Sequence, residues 1–131
     1  MLIDTSGFLC KHDKGEICHK DAVGLYDSAT SRLTSNYVLA EYTALAQVRG
    51  ISRGDILKFS EGILDDGNIE IVWVDKPLHR MAIDLLKERL DKSYSLCDAV
   101  SFVIMRERGI AEALTTDRHF EQEGFVRLLR P

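Results

Sequence analysis

Ser95-Leu96-Cys97-Asp98-Ala99-Val100-Ser101-Phe102-Val103-Ile104-Met105-Arg106-Glu107-Arg108-Gly109, followed by Ala111-Glu112-Ala113-Leu114-Thr115-Thr116-Asp117, is the stretch on which the fold turns. Ser95 with Asp98 three residues later has the form of a capping box, so a helix opens at Ser95 and runs through Arg108. Gly109 ends it. Ala111–Thr115 then reads as strand, Asp117–Gln122 as a short helix and Phe125–Leu129 as a last strand. Helix and strand alternate at short intervals here, as in a parallel sheet with crossover helices.

The same alternation extends back to the N-terminus. Met1–Ile3 is a brief strand, and Thr5 to about Thr30 has a helical pattern broken or bent near Gly15. Arg32–Ser35 is a second, short strand. Asn36 is the expected N-cap of a helix through Arg49, with Val38, Leu39, Tyr42, Leu45 and Ala46 apolar and Gly50 closing it. A further helix spans about Ser52 to Leu64 and carries Ile56, Phe59, Ile63 and Leu64. Asp65-Asp66-Gly67-Asn68 is a turn before the strand Ile69–Val74, rich in β-branched residues and containing Trp73. Pro77 suits the first turn of a helix to about Leu90 with Leu78, Met81, Leu85 and Leu86. The expected architecture is an α/β sandwich: one parallel sheet, helices on both faces, a single domain over 1–131.

Bulk properties narrow the function. With 131 residues and 45% hydrophobic content, the chain can bury a core without staples. No apolar run approaches the roughly 20 residues that span a bilayer, and Lys11, His12, Asp13 and Lys14 interrupt any leader-like segment. A cytoplasmic location and no membrane partner are expected. Cys10, Cys18 and Cys97 form no disulfide framework. Cys10, His12, Cys18 and His19 lie close in sequence but lack zinc-ligand spacing, so packed or solvated roles are expected of them. The net charge of −4 argues against a broad basic nucleic-acid face, although a carboxylate site that holds divalent cations makes formal charge a poor guide.

In an open parallel sheet, ligands bind beyond the carboxyl ends of the strands. Asp4 follows the first strand there, Asp117 follows Ala111–Thr115, Asp98 lies in the first turn of its helix, and Glu41 lies in the helix after the second strand. Asp4, Asp98 and Asp117 each also admit a capping role, because helix N-termini gather at that edge. Asp75, before Pro77, is read as a cap only. Glu41 sits past the first turn of its helix, where capping does not account for it. Convergent carboxylates of this kind suit Mg²⁺ or Mn²⁺, which prefer oxygen ligands and keep several waters. Without a cation they would repel one another and raise each other's pKa.

At these positions the chain resembles the PIN-domain family. The resemblance rests on Met1-Leu2-Ile3-Asp4-Thr5-Ser6, on Glu41 within Leu39-Ala40-Glu41-Tyr42, on Ser95-Leu96-Cys97-Asp98-Ala99 and on Thr115-Thr116-Asp117-Arg118-His119-Phe120. It implies a five-stranded parallel sheet of order 3-2-1-4-5 and a metal site built from Asp4, Glu41, Asp98 and Asp117, with Ser6 and Thr116 as supporting hydroxyls. It also implies an Mg²⁺- or Mn²⁺-dependent endoribonuclease similar to the toxins of VapBC toxin–antitoxin pairs, which cleave RNA, dimerise and meet an antitoxin. The competing expectation is a PIN-like RNA-processing or interaction scaffold with little catalysis. A small phosphatase using an aspartate nucleophile is disfavoured, because Ser6 stands where such enzymes need a second Asp. Lys11, Lys14, Arg49, Arg53 and Arg118 are the basic residues available to phosphates, Arg118 first among them. Apolar residues of the helices Asn36–Arg49 and Ser52–Leu64, including Tyr42, Phe59 and Ile63, are expected to leave a surface for a homodimer or an antitoxin segment.

Overall fold

Adjacent residues of a strand point to opposite faces of a sheet. Leu2, Ile3, Ala113 and Leu114 are all fully buried, so the sheet that holds them is covered on both sides. In the computed structural model, which describes residues 1–131, the strands are β1 (Leu2–Ile3), β2 (Leu33–Ser35), β3 (Glu70–Val72), β4 (Glu112–Leu114) and β5 (Val126–Arg127). All pair in parallel, in the order β3-β2-β1-β4-β5. Leu2 lies opposite Ala113 and Ile3 opposite Leu114.

The helices are α1 (Thr5–His12), α2 (His19–Ser28), α3 (Asn36–Val48), α4 (Arg53–Asp65), α5 (Lys76–Glu88), α6 (Leu96–Arg108) and α7 (Arg118–Gln122). Helices α1 to α4 pack with Ile3 and Leu114 on one face, through Phe8, Ala22, Val38, Tyr42 and Ile56. Helices α5 to α7 cover Leu2, Leu33 and Ala113 on the other, through Ala82, Leu85, Phe102 and Phe120. Every residue of α6 from Asp98 to Met105 is buried. A helix so enclosed fixes its own first turn relative to the sheet, and Asp98 sits in that turn.

Several local expectations are corrected by the structure. The N-cap of α3 is Ser35, whose Oγ accepts from the Val38 N–H, not Asn36. The Asn36 amide oxygen instead accepts from the Val74 N–H at 2.8 Å, tying α3 to the chain leaving β3. That strand stops at Val72, and Trp73 beyond it is exposed. Tyr42 and Ile63 are buried in the core, and Phe59 stacks on His12 at 4.3 Å, so these three do not form an open docking face. The apolar side chains that α3 and α4 do expose are Val48, Leu57 and Leu64. Met81 also points outward on α5.

Two close contacts hold the frame. Gly7 in α1 lies so near β4 that a Cβ there would come within 2.1 Å of the Leu114 carbonyl oxygen. On the opposite face, the buried Glu123 carboxylate accepts from Arg89 at 2.9 and 3.2 Å and pairs with Arg106 at 2.5 Å. Burial opposes its ionisation, but the hydrogen bonds from Arg89 and Arg106 win and hold it below the usual carboxylate range. Glu123→Gln is expected to lower the melting temperature by on the order of 10 °C, because it leaves two guanidinium groups short of a charged acceptor; both keep contact with water, which limits the loss. Thermal denaturation followed by circular dichroism checks this.

Candidate active site

Parallel strands end together, and the helices that follow them begin together, so the residues just after β1, β2 and β4 meet at one edge. Asp4 leaves β1 and is 4% exposed. Although it occupies the N-cap position of α1, its side chain makes no capping hydrogen bond. Its Oδ2 instead accepts from the buried Thr115 hydroxyl at 2.8 Å. Burial raises the Asp4 pKa most strongly, the Thr115 hydroxyl and the Thr5 backbone oppose it, and the charges of Asp98 and Glu41 raise it further, from the ordinary 3.8 to about 7. Glu41 reaches in from α3, where its Oε1 accepts from the Thr5 hydroxyl at 2.6 Å. The Cys97 thiol lies among these acids: burial, then Glu41, Asp4 and Asp98, push its pKa well above the usual thiol range.

Asp98 takes the capping role open to it in the sequence, and its carboxylate also meets His119. The capping box is complete, with the Asp98 N–H donating to Ser95 Oγ at 3.0 Å and Asp98 Oδ2 accepting from the Ser95 N–H at 3.1 Å. The same Oδ2 lies 2.9 Å from His119 Nδ1. Asp117 likewise caps α7, its Oδ1 accepting from the His119 N–H at 2.9 Å, while its Oδ2 stands 3.5 Å from His119 Nδ1. Single ligating atoms of Asp98, Asp117 and His119 fall within 4.8 Å of one another. Capping here orients the carboxylates without using all their oxygens: Asp98 Oδ1 and Asp117 Oδ2 make no hydrogen bond to the backbone.

A hydroxyl network binds the two central loops. Thr115 Oγ1 accepts from the Asp117 N–H at 3.0 Å and lies 3.1 Å from Ser6 Oγ, which accepts from the Thr116 N–H at 3.0 Å. Ser6 thus bridges the loops after β1 and β4. Thr116 contributes its backbone N–H, and the hydroxyls that touch carboxylates belong to Thr115, on Asp4, and Thr5, on Glu41. Both Thr115 and His119 fall inside the quoted motif, yet their roles are invisible in it: strand alternation does not tell which of two adjacent threonines turns toward β1, and His119 reaches Asp98 only through α7's short turn. Arg118 is exposed and makes no contact with the carboxylates.

No Lys or Arg forms an ion pair with Asp4, Glu41, Asp98 or Asp117; His119 is the one basic neighbour. A cluster of carboxylates, two of them buried, with no Lys or Arg among them fits a divalent metal and oxygen coordination. Cys10, His12, Cys18 and His19 are engaged in packing and hydrogen bonds of their own instead. His12 Nδ1 bonds the Tyr42 hydroxyl, His19 Nδ1 bonds the Cys10 carbonyl, and burial pushes the Cys10 thiol up to about 11.

Comparison with known proteins agrees with this architecture. The 23S rRNA-specific endonuclease VapC20 of Mycobacterium tuberculosis (strain ATCC 25618 / H37Rv) is 30% identical over 129 residues, 98% of this chain and 97% of the relative. A VapC ribonuclease of Archaeoglobus fulgidus is 30% identical over 112 residues, 81% of this chain and 70% of the relative. The crystal structure of Mycobacterium tuberculosis VapC20, described as a toxin cleaving the sarcin-ricin loop, superimposes with a TM-score of 0.88 at 30% identity, covering 99% of this chain and 98% of that one. The model of the PIN domain matches residues 1–125. With that match, the β3-β2-β1-β4-β5 sheet and the acidic edge, the chain belongs to the PIN-domain family.

Proposed function

We propose that this protein is an endoribonuclease dependent on Mg²⁺ or Mn²⁺, the toxin of a toxin–antitoxin pair, with Asp4, Glu41, Asp98 and Asp117 holding the metal. The observation that carries the reading is the carboxylate cluster at the end of β1, which includes the buried Asp4 and lacks any Lys or Arg counter-charge. A bound divalent cation supplies Lewis acidity that activates water and steadies the leaving oxygen of a phosphodiester. The chain's own residues prepare the place. Thr115 and Ser6 lock the loop after β4 against the loop after β1. His119, with Nδ1 2.9 Å from Asp98 Oδ2 and Nε2 3.1 Å from the Ser93 hydroxyl, fixes the tilt of the Asp98 carboxylate and leaves Oδ1 available. Second partners of this kind keep a ligand oriented.

The relatives named above act on RNA, and an RNA substrate and an antitoxin protein are proposed for this chain on that basis. A ribosomal RNA hairpin is the first substrate to try. The exposed Val48, Leu57 and Leu64 offer apolar area to a homodimer or antitoxin. No helix is long and apolar enough to cross a membrane.

The test is direct. Purified protein should cleave RNA with Mn²⁺ or Mg²⁺ and not with EDTA, and Asp98→Asn should lose the activity, since the amide keeps the shape but not the charge a hard cation requires. Gel-resolved cleavage of labelled ribosomal RNA fragments reads the result. Activity that persists in EDTA and in the variant would remove the metal-nuclease assignment.

A further inference from the structure

Glu41 and Leu45 in α3 and Arg49 at its C-cap succeed one another at four-residue intervals, so they mark one side of the helix over about 12 Å at 1.5 Å per residue. Glu41 stands at the carboxylate cluster through Thr5. Leu45 and Arg49 line a cavity of about 230 Å³, together with Glu16, Ile17, Ser6 and Thr116. Ser6 and Thr116 are the residues bonded to each other where the loops after β1 and β4 meet. The cavity therefore opens directly beside the acidic site.

Its walls are of two kinds. Leu45 and Ile17 are apolar, and Ile17 is 88% exposed, a large aliphatic side chain on the rim with nothing packed over it. Beside them, Arg49 Nη1 donates to Glu16 Oε1 at 2.8 Å. That single bond leaves the other guanidinium N–H groups and Glu16 Oε2 without a protein partner. An apolar slot edged by a guanidinium and a carboxylate accepts a flat ring with both donors and acceptors on its rim. Single-stranded RNA presents such rings when its bases are splayed out and read on their Watson–Crick edges.

We infer that this cavity receives the nucleobase flanking the cleaved phosphodiester, and that it selects guanine. Among the four bases, guanine alone presents one acceptor beside two donors on its Watson–Crick edge. O6 accepts from Arg49, while N1–H and the N2 amino group donate to the Glu16 carboxylate. Ile17 and Leu45 cover the ring faces. The inference rests on the ribonuclease reading and adds a substrate subsite to it.

Cleavage positions of the parent, Arg49→Ala and Glu16→Gln are mapped by end sequencing on an RNA pool of random sequence with Mn²⁺. The parent is expected to favour guanine at one position flanking the cut, and each variant to reduce that preference on the order of 10-fold or more. Melting curves establish that the variants are folded, and Arg49→Lys, which keeps the charge but not the fork, replaces Arg49→Ala if that variant is not. Fluorescence anisotropy of labelled trinucleotides in EDTA measures the same discrimination without turnover. Cleavage by the parent with no flanking preference, or with a guanine preference unchanged in both variants, overturns the subsite and leaves the ribonuclease reading standing. A parent that cleaves no RNA overturns that reading. In that case, guanine-selective binding in EDTA that both variants lose still supports the subsite, and equal binding of all trinucleotides removes it. Loss of a protein partner in the variants, with base preference intact, would assign the cavity to that partner instead.

Discussion

Asp4→Asn is expected to make the metal-free protein more stable at pH 8 while reducing RNA cleavage by at least on the order of 100-fold. The stability half follows from linkage. Asp4 titrates near 7 in the folded chain against an ordinary 3.8, so the folded state holds the proton more tightly than the unfolded one. Such a group favours folding fully below pH 4, and that contribution is lost as pH rises through 7. Relative to the asparagine variant, the parent should therefore weaken progressively between about pH 4 and pH 7 and level off above, with a final gap on the order of 4 kcal/mol. The amide oxygen still accepts from Thr115, so no hydrogen bond need be lost. Adding Mn²⁺ at pH 8 should narrow the gap by stabilising the parent far more than the variant. Urea titrations at pH 5 and pH 8, with EDTA and with Mn²⁺, separate these effects. A variant less stable than the parent at both pH values would mean that the Asp4 charge is welcome without metal, and the cluster would lose its reason to bind one.

Gly7→Ala should be the most damaging single methyl in the chain. The new Cβ would stand 2.1 Å from the Leu114 carbonyl oxygen and 2.9 Å from its carbon, and strand backbone does not give way as a flexible side chain does. Helix α1 must lift from β4, although alanine is by itself the better helix former. A cost of about 3 kcal/mol or more is expected, at the upper end for overpacking. Because Ser6 adjoins Gly7 and hydrogen-bonds Thr116, the displacement also opens the loop junction at the acidic site. Alanine at the exposed Gly62, where nothing lies within 4 Å of a Cβ, is the matching control and should be neutral or slightly stabilising. Chemical denaturation of both variants compares them; equal stabilities would show that α1 is free to shift.

The residues that announce this fold are those with strong local chemistry. Ser95 and Asp98 specify a capping box that depends on nothing beyond four residues, and the structure contains it. Leu2 and Ile3 alternate across the sheet as a strand must, and the strand order implied by the family resemblance is the order found. What escaped the sequence depends on relations between distant segments. Asn36 has the composition of a cap, but Ser35 takes that place because Asn36 is drawn to the Val74 N–H. Tyr42 and Ile63 look like surplus apolar surface only until α1 is placed under α3 and α4, where Phe8 contacts Tyr42 and Phe59 edge-on. Thr115 and His119 are short-range neighbours of Asp117, yet their partners, Asp4 and Asp98, lie 111 and 21 positions away. Arg49, one of several basic residues in the sequence, gains its meaning from Glu16, which only the turn between α1 and α2 brings to it.

Asp4 is the N-cap residue of α1, Ser35 of α3 and Ser95 of α6. Those helices begin at the sheet edge where the carboxylates gather, and each contributes the partial positive charge of its aligned peptide dipoles, roughly half an elementary charge per helix end. The acidic site is thus set in a fixed positive background that belongs to the backbone and that no side-chain substitution removes. It softens the repulsion among the acids before any cation arrives, while leaving their oxygens free of the lysine or arginine that would otherwise occupy them. When a phosphate group approaches, the same background favours its negative charge. A protein with a net charge of −4 can in this way receive a polyanion at the place where its own negative charge is most concentrated.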